Sequence, residues 1–368
     1  MEEGSTGMLS RKNPLPRPRR RNPRTPGSGL AALAVLAALL LLFAMPAAAD
    51  PSDERPEANP PAGPSTDEDG TAGHAGAGGA GAASGAGGGG ASHPAKKRRG
   101  GVNPCMTPDP GWGKYDPWIS VSSGQMIAPH KGGVTKNGGF DLIVHFHGHE
   151  PIRKEFVKTA NGSVLVGIDL GIGSGAYQSA FANPSLFTNL IASVEGVMTK
   201  RAGKPAHVRK IALSSWSAGY GAAEQILRQP AGRKIDAVIL LDSLHVGYVD
   251  ESQKTYKVAQ IEPFIEFARR ARDRKTLMFM SHSSIVPPGY ASTTETAAFV
   301  ISQLRGKLKK ADRQDVLGLD MIDRFDRGNL HVRGYTGDDK PDHCAHIGLM
   351  ADIVKRHLEP RWKTPSAH

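Results

Sequence analysis

From about residue 118 onward, short apolar runs alternate with amphipathic ones, and this alternation constrains the chain more than any other feature. Phe140-Asp141-Leu142-Ile143-Val144-His145-Phe146 and Val164 to Ile168 read as strands. Pro184 to Lys200 has helical spacing at Leu186, Leu190, Ile191, Val194 and Val197. Strand Arg209 to Leu213, helix Ala218 to Arg228, strand Ala237 to Leu241, helix Ile261 to Arg272 and strand Thr276 to Met280 follow. Helix Thr294 to Leu308, strand Leu330 to Gly334 and a last helix from about Asp342 to Leu358 complete the series. Strands apolar on both faces, each followed by a helix, are buried most simply in a mostly parallel sheet with helices on both sides. Trp118 to Met126 is expected to lead into that sheet as an antiparallel strand.

The rest of the chain does not belong to this pattern. Residues 1–49 carry a net +5, residues 50–100 a net −2, and the remainder +8 of the total +11. Spread over a whole folded domain, that charge is no nucleic-acid footprint. Leu30 to Ala49 (LAALAVLAALLLLFAMPAAA) follows a basic stretch and ends in small residues, as a secretory signal does. An uncleaved anchor is the rival reading, although the apolar run is short of the ~20 residues that span a bilayer comfortably. Residues 50–101 are rich in Pro and acids, then Gly and Ala. They cannot bury enough apolar surface to offset their chain entropy and read as a flexible tether. One folded domain, 102–368, is expected. Two cysteines exclude a disulfide-rich scaffold, and Cys105 and Cys344 could pair in an oxidising compartment.

The run Lys210-Ile211-Ala212-Leu213-Ser214-Ser215-Trp216-Ser217-Ala218-Gly219 is a strand turning sharply into a helix, with Ser217 at the turn. Small residues stand two positions before it (Ser215) and two after (Gly219), because larger side chains there would strike the neighbouring elements. This resembles the G-x-S-x-G nucleophile elbow of the α/β-hydrolase superfamily, with Ser215 in place of the first glycine. By element order the resemblance covers about residues 118–368. It implies an α/β-hydrolase fold and a serine esterase-like activity, and the short stretch Val246 to Gln260 is expected to leave no large lid. It also implies an oxyanion hole formed by the Ala218 amide and a loop after an earlier strand, here His147-Gly148-His149, with His149 or its neighbours Gly148 and Glu150 donating.

The resemblance implies an acid and a histidine after later strands. Asp242, at the end of Leu240-Leu241-Asp242, is the acid expected, and Glu295 is a second choice. His343 and His346 compete for the histidine, His343 being preferred because it lies nearer the loop. His282 could line the pocket or hold the acid loop, and His331 reads as structural. The alternation of His145, His147 and His149 leaves a zinc-binding reading open.

These residues point to an exported hydrolase of an ester or similar acyl bond, with no cofactor. The partner expected is a small-molecule or polymeric ester, without nucleic acid, and with a membrane tether through residues 30–49 an option. Because only Val246 to Gln260 separates the sixth strand from its helix, a small or polymeric polar ester is expected over a long-chain triglyceride. The alternatives are a catalytically inactive surface-binding relative and a metal-dependent hydrolase. Oligomeric state is left open.

Overall fold

A computed structural model describes residues 104–314, 317–337 and 339–363. The apolar segment Leu30 to Ala49 and the tether of residues 50–101 lie outside the described residues. Among the described residues no helix is long and apolar enough to cross a membrane.

The strands are β1 (Ile119–Val121), β2 (Gly124–Ile127), β3 (Gly139–Phe146), β4 (Val164–Ile168), β5 (His207–Trp216) and β6 (Ile235–Leu241). They continue with β7 (Tyr248–Asp250), β8 (Thr255–Tyr256), β9 (Leu277–Ser283), β10 (Lys309–Gln314), β11 (Asp320–Arg327) and β12 (Leu330–Tyr335). The helices are α1 (His149–Thr159), α2 (Ser174–Phe181), α3 (Pro184–Ala202), α4 (Tyr220–Arg228) and α5 (Val258–Arg272). They end with α6 (Thr293–Gln303), α7 (Lys340–Ala345), α8 (Leu349–Ile353) and α9 (Glu359–Lys363).

Ten strands form one sheet in the order β1-β2-β4-β3-β5-β6-β9-β12-β11-β10. The run from β4 to β12 is parallel, while β1–β2 and β10–β11 add antiparallel edges. The alternation of side chains divides the central strands between two cores. Leu142, Val144 and Phe146 of β3 pack with Phe187 and Leu190 of α3, Ala222 and Ile226 of α4, and Phe264 of α5. Ile143, between them, faces the other way, toward Ile152 and Phe156 of α1 and Met350 and Ile353 of α8. Helices therefore cover both faces, as expected.

Three expectations need correction. Trp118 to Met126 is a tight hairpin, β1 and β2, rather than one strand. The helix expected to reach Leu308 stops at Gln303, and the chain then forms the β10–β11 meander. β10 is a solvent-facing edge whose Lys309 and Lys310 carry no apolar alternation. The single last helix is broken into α7, a 3-10 turn at His346–Gly348, α8, a π turn at Val354–Leu358 and α9. Helices α1 and α2, unanticipated from the sequence, follow β3 and β4.

Candidate active site

The site is built where β5 gives way to α4. Ser217 has φ 49°, a left-handed backbone that a serine adopts only when the surroundings hold it there. A Cβ on Gly219 would come within 2.1 Å of Phe146 O, so only glycine fits two residues after the turn. Ser215, two residues before, is buried. Its Oγ lies 3.0 Å from Ser243 Oγ, which donates to Ser217 O at 2.8 Å. The serine in the usual glycine's place thus ties the turn to the end of β6. With this strand–turn–helix on a central parallel strand and helices on both faces, the chain has the α/β-hydrolase fold.

Registers set the neighbours. Trp216 on β5 stands opposite Leu241 on β6, and Leu241 opposite Ser281 on β9. Ser217 and Asp242 therefore leave adjacent strands at one height. Asp242 also has a left-handed backbone, φ 43°, and is 1% exposed. Its Oδ1 accepts from Ser283 N at 2.8 Å and Thr293 Oγ1 at 2.6 Å, and its Oδ2 faces His343 Nδ1 at 2.6 Å. Burial by itself would raise the Asp242 pKa. The positive ends of His346 and His343 and the Thr293 hydroxyl outweigh it and hold the carboxyl well below the usual range. An ionised acceptor calls for a proton on His343 Nδ1, so that in the neutral tautomer the lone pair is on Nε2.

His343 lies in α7, whose N-cap Asp339 accepts from Asp342 N at 2.9 Å. Trp216 Nε1 donates to His343 O at 3.1 Å, and the two rings lie 4.8 Å apart. The next residue, Cys344, is disulfide-bonded to Cys105 with a Cα separation of 6.0 Å. His346 is buried one turn on, its Nδ1 2.8 Å from Ser281 Oγ, which also accepts from Asp242 N at 3.1 Å. The ring hydrogen-bonded to the Asp242 carboxylate is thus His343, while His346 stands behind the Asp242 backbone. Glu295 is elsewhere, in the capping box of α6 with Ser292. His282 ties Thr294 Oγ1 at 2.8 Å to Asp323 Oδ1 at 3.0 Å across α6 and β11, and His331 bonds Asp326 at 2.7 Å.

On the other side of Ser217, β3 stops at Phe146 and the chain turns through His147 (φ 72°) and Gly148 (φ 74°) into α1. A Cβ at Gly148 would meet the Trp216 ring at 2.8 Å, so glycine is required for the turn and for the approach. The strand alternation ends before His147, and the three histidines take separate partners. His145 Nε2 donates to His147 O at 2.7 Å, which leaves Nδ1 to accept from Ser214 Oγ at 2.9 Å. Burial pushes its pKa down to about 3, so this ring is neutral. His147 Nδ1 pairs with Tyr177 OH at 3.0 Å while the ring stacks on Trp216 at 5.1 Å. His149 pairs through Nδ1 with Asp169, a hydrogen bond that raises its pKa. Among the described residues no group of three or more His, Cys, Asp or Glu forms a metal-ligand set.

The Gly148 and His149 amides, expected to form half of an oxyanion hole, both face Asp169. Gly148 N donates to Asp169 Oδ1 at 2.6 Å and His149 N to Oδ2 at 3.3 Å, so both already hold a carboxylate. The cause is topological: Phe146 on β3 is level with Ile168 on β4, and Asp169 leaves the sheet beside the loop it clamps. Glu150, the neighbouring candidate, hydrogen-bonds Trp118 Nε1 and Arg153 through its side chain. Asp169 stays ionised with a pKa of about 2. Burial raises it, and the His149 hydrogen bond and charge together with the two amides lower it further. Sequence reading missed Asp169, Trp216, Ser243, Ser281 and Thr293. Only Asp169 carried a signal, as a carboxylate directly after an apolar strand.

No protein-family model matches the chain, and no curated protein matches it. Solved structures similar to it include the enterobactin esterase from Shigella flexneri in the presence of enterobactin, at 13% identity and a TM-score of 0.42. That alignment covers 71% of this chain and 63% of the esterase. The BES protein from Bacillus cereus is 15% identical with a TM-score of 0.37 over 67% of this chain and 93% of its own. An uncharacterised protein from Capnocytophaga ochracea is 10% identical with a TM-score of 0.37 over 65% of this chain and 62% of its own. The chain thus spans less than two thirds of the enterobactin esterase and of the Capnocytophaga protein. The chemistry of the site rests on its own geometry.

Proposed function

We propose that this protein is a serine hydrolase that cleaves an ester or similar acyl bond outside the cytoplasm. The observation that carries the reading is the buried Asp242 carboxylate, 2.6 Å from His343 Nδ1, on the strand end next to the left-handed Ser217. In this reading Ser217 Oγ attacks the substrate carbonyl while His343 Nε2 takes its proton. Asp242 steadies the imidazolium and holds its tautomer. The Ala218 amide donates to the developing oxyanion. His343 then returns the proton to the leaving alcohol, and water, deprotonated by the same ring, releases the acid and regenerates Ser217. The Gly148–His149 loop contributes by its shape, clamped on Asp169. No step requires a cofactor. Export is supported by the signal-like segment ahead of Asp50 and by the Cys105–Cys344 bond, which persists in oxidising compartments.

A fluorophosphonate probe tests the reading directly. Covalent labelling is expected at Ser217, located by peptide mass spectrometry, and lost in Ser217→Ala. Folded wild-type protein that takes up no label and hydrolyses no ester would end the proposal.

A further inference from the structure

The surface around the candidate site is unusual in where it is apolar. Six large hydrophobic side chains stand exposed among the described residues: Met106, Ile172, Val249, Val258, Val286 and Tyr290. Four of them, Ile172, Val249, Val286 and Tyr290, lie in segments that follow the C-terminal ends of β4, β6 and β9, the edge of the sheet that carries Ser217. Ile172 (94% exposed) follows β4, Val249 (71%) lies in the hairpin after β6, and Val286 (78%) and Tyr290 (41%) follow β9. Apolar side chains scattered singly need no explanation, but this concentration on one rim does.

The rim is held in place. The hairpin after β6 is joined to the segment after β9 by Ala291 N donating to Val246 O at 2.9 Å and by a bridge between Gly247 and Tyr290. Glu295 on α6 holds the hairpin from below, accepting from Tyr248 OH at 3.2 Å and Lys254 Nζ at 2.7 Å. The residues between β6 and α5, expected to be too few for a large lid, indeed form only β7, β8 and their turn.

A line of rings crosses the site from one part of the rim to the other. Tyr177, whose hydroxyl anchors Leu170 N and Gly171 O beside Ile172, meets the His147 ring at 5.9 Å. His147 stacks on Trp216 at 5.1 Å, Trp216 meets His343 at 4.8 Å, and His343 meets His245 at 6.2 Å. His245 meets the half-exposed Tyr290 edge-on at 5.4 Å. Ring faces and edges gain from an aromatic partner beyond the area that is buried, which a flexible alkyl chain does not match. Resting on the ester-hydrolase reading above, we propose that the substrate is an ester with an aromatic limb, laid over the half-buried rings of this line, His147, Trp216, His343 and His245, with Ile172 beyond one end and Tyr290 at the other. This departs from the polar ester expected from the short insertion alone.

The test compares ethyl acetate, ethyl hexanoate, ethyl 3-phenylpropanoate and benzyl acetate by pH-stat, in wild type and in Tyr290→Ser, Tyr290→Phe and Ile172→Ser. An aromatic ester is expected to exceed both ethyl acetate and ethyl hexanoate in kcat/KM by at least about tenfold. Each serine variant is expected to lower kcat/KM on the aromatic ester about fivefold, leave ethyl acetate within about twofold, and find Tyr290→Phe close to wild type. Fluorophosphonate labelling of Ser217 with no aromatic preference, or with ethyl hexanoate the best substrate, overturns this inference and spares the hydrolase reading. Equal losses on all four esters in the serine variants also overturn it. Absence of labelling and of all ester turnover removes both.

Discussion

At the end of β6, Asp242 takes Ser283 N, Thr293 Oγ1 and His343 Nδ1; at the end of β4, Asp169 takes Gly148 N, His149 N and His149 Nδ1. The parts are the same, a carboxylate, an imidazole and donors from a neighbouring segment. The settings differ. The Asp242 side chain is 1% exposed and that of Asp169 37%. In the proposed hydrolase, the first carboxylate, removed from water, would steady an imidazolium through a proton transfer. The second, open to solvent, fastens a loop. A histidine beside a carboxylate acquires its role from burial and from what its other nitrogen faces.

The largest effect should come from breaking the buried corner. Asp242→Asn is expected to lower kcat on p-nitrophenyl acetate about 10³- to 10⁴-fold by stranding His343 in the wrong tautomer, as is His343→Ala by removing the base. Glu295→Gln should stay close to wild type. A comparable loss in Asp169→Asn would erase the distinction between the two corners.

The next effect is on stability. Cys344 fastens the His343 corner to Cys105 across 239 residues of chain. The Cys105→Ser/Cys344→Ser protein is expected to lose about 2–5 kcal/mol of unfolding free energy in urea. Its kcat should fall more than its KM rises, because the bond lies beside His343 rather than the rim. Unchanged kcat at intact folding would detach the disulfide from the site.

Acid should act through His145 on β3, which belongs to neither corner. His145 is neutral and buried with a pKa near 3, against an ordinary value of 6.5. The unfolded chain therefore takes up a proton first, and stability falls as pH drops below 6.5 until about 3. The contribution of this ring is on the order of 2 kcal/mol at pH 5. Urea midpoints measured from pH 7 to pH 5 should decline, and His145→Gln should flatten the slope. Asp242, with its pKa depressed, adds stability above the carboxylate range that is lost only at more acid pH. An unchanged midpoint at pH 5 would mean that His145 charges without cost.

A smaller effect is expected from Asp169→Ala, about tenfold or less in kcat/KM, since the loop loses its clamp while Ser217, Asp242 and His343 stay in place. A rise in turnover instead would mean that the carboxylate competes for amides the reaction can use.

Much of the architecture was legible because it rests on local pattern. β3, β4 and β6 are apolar on both faces, and α3 repeats its buried side at helical spacing through Phe187, Leu190, Val194 and Met198. The meander β10–β11 was not, because an exposed edge strand such as Lys309–Gln314 buries neither face and shows no period. The last helix was read as one because its apolar spacing continues past the 3-10 and π turns that break it. Ser217 was recognisable from the small residues around it, whose sizes answer to contacts a few residues away.

The sequence by itself determined the alternating order of elements, the tight turn at Ser217 and the presence of acids and histidines after later strands. Tertiary structure alone decided which of them meet. Register between β5 and β6 sets Asp242 beside Ser217, and α7 rather than the turn after it aims its histidine at that carboxylate. The Gly148 and His149 amides went to Asp169 because β3 and β4 end level with each other. Local sequence sets backbone conformation over a few residues, whereas the acceptor that a given N–H finds depends on strands brought together from distant parts of the chain.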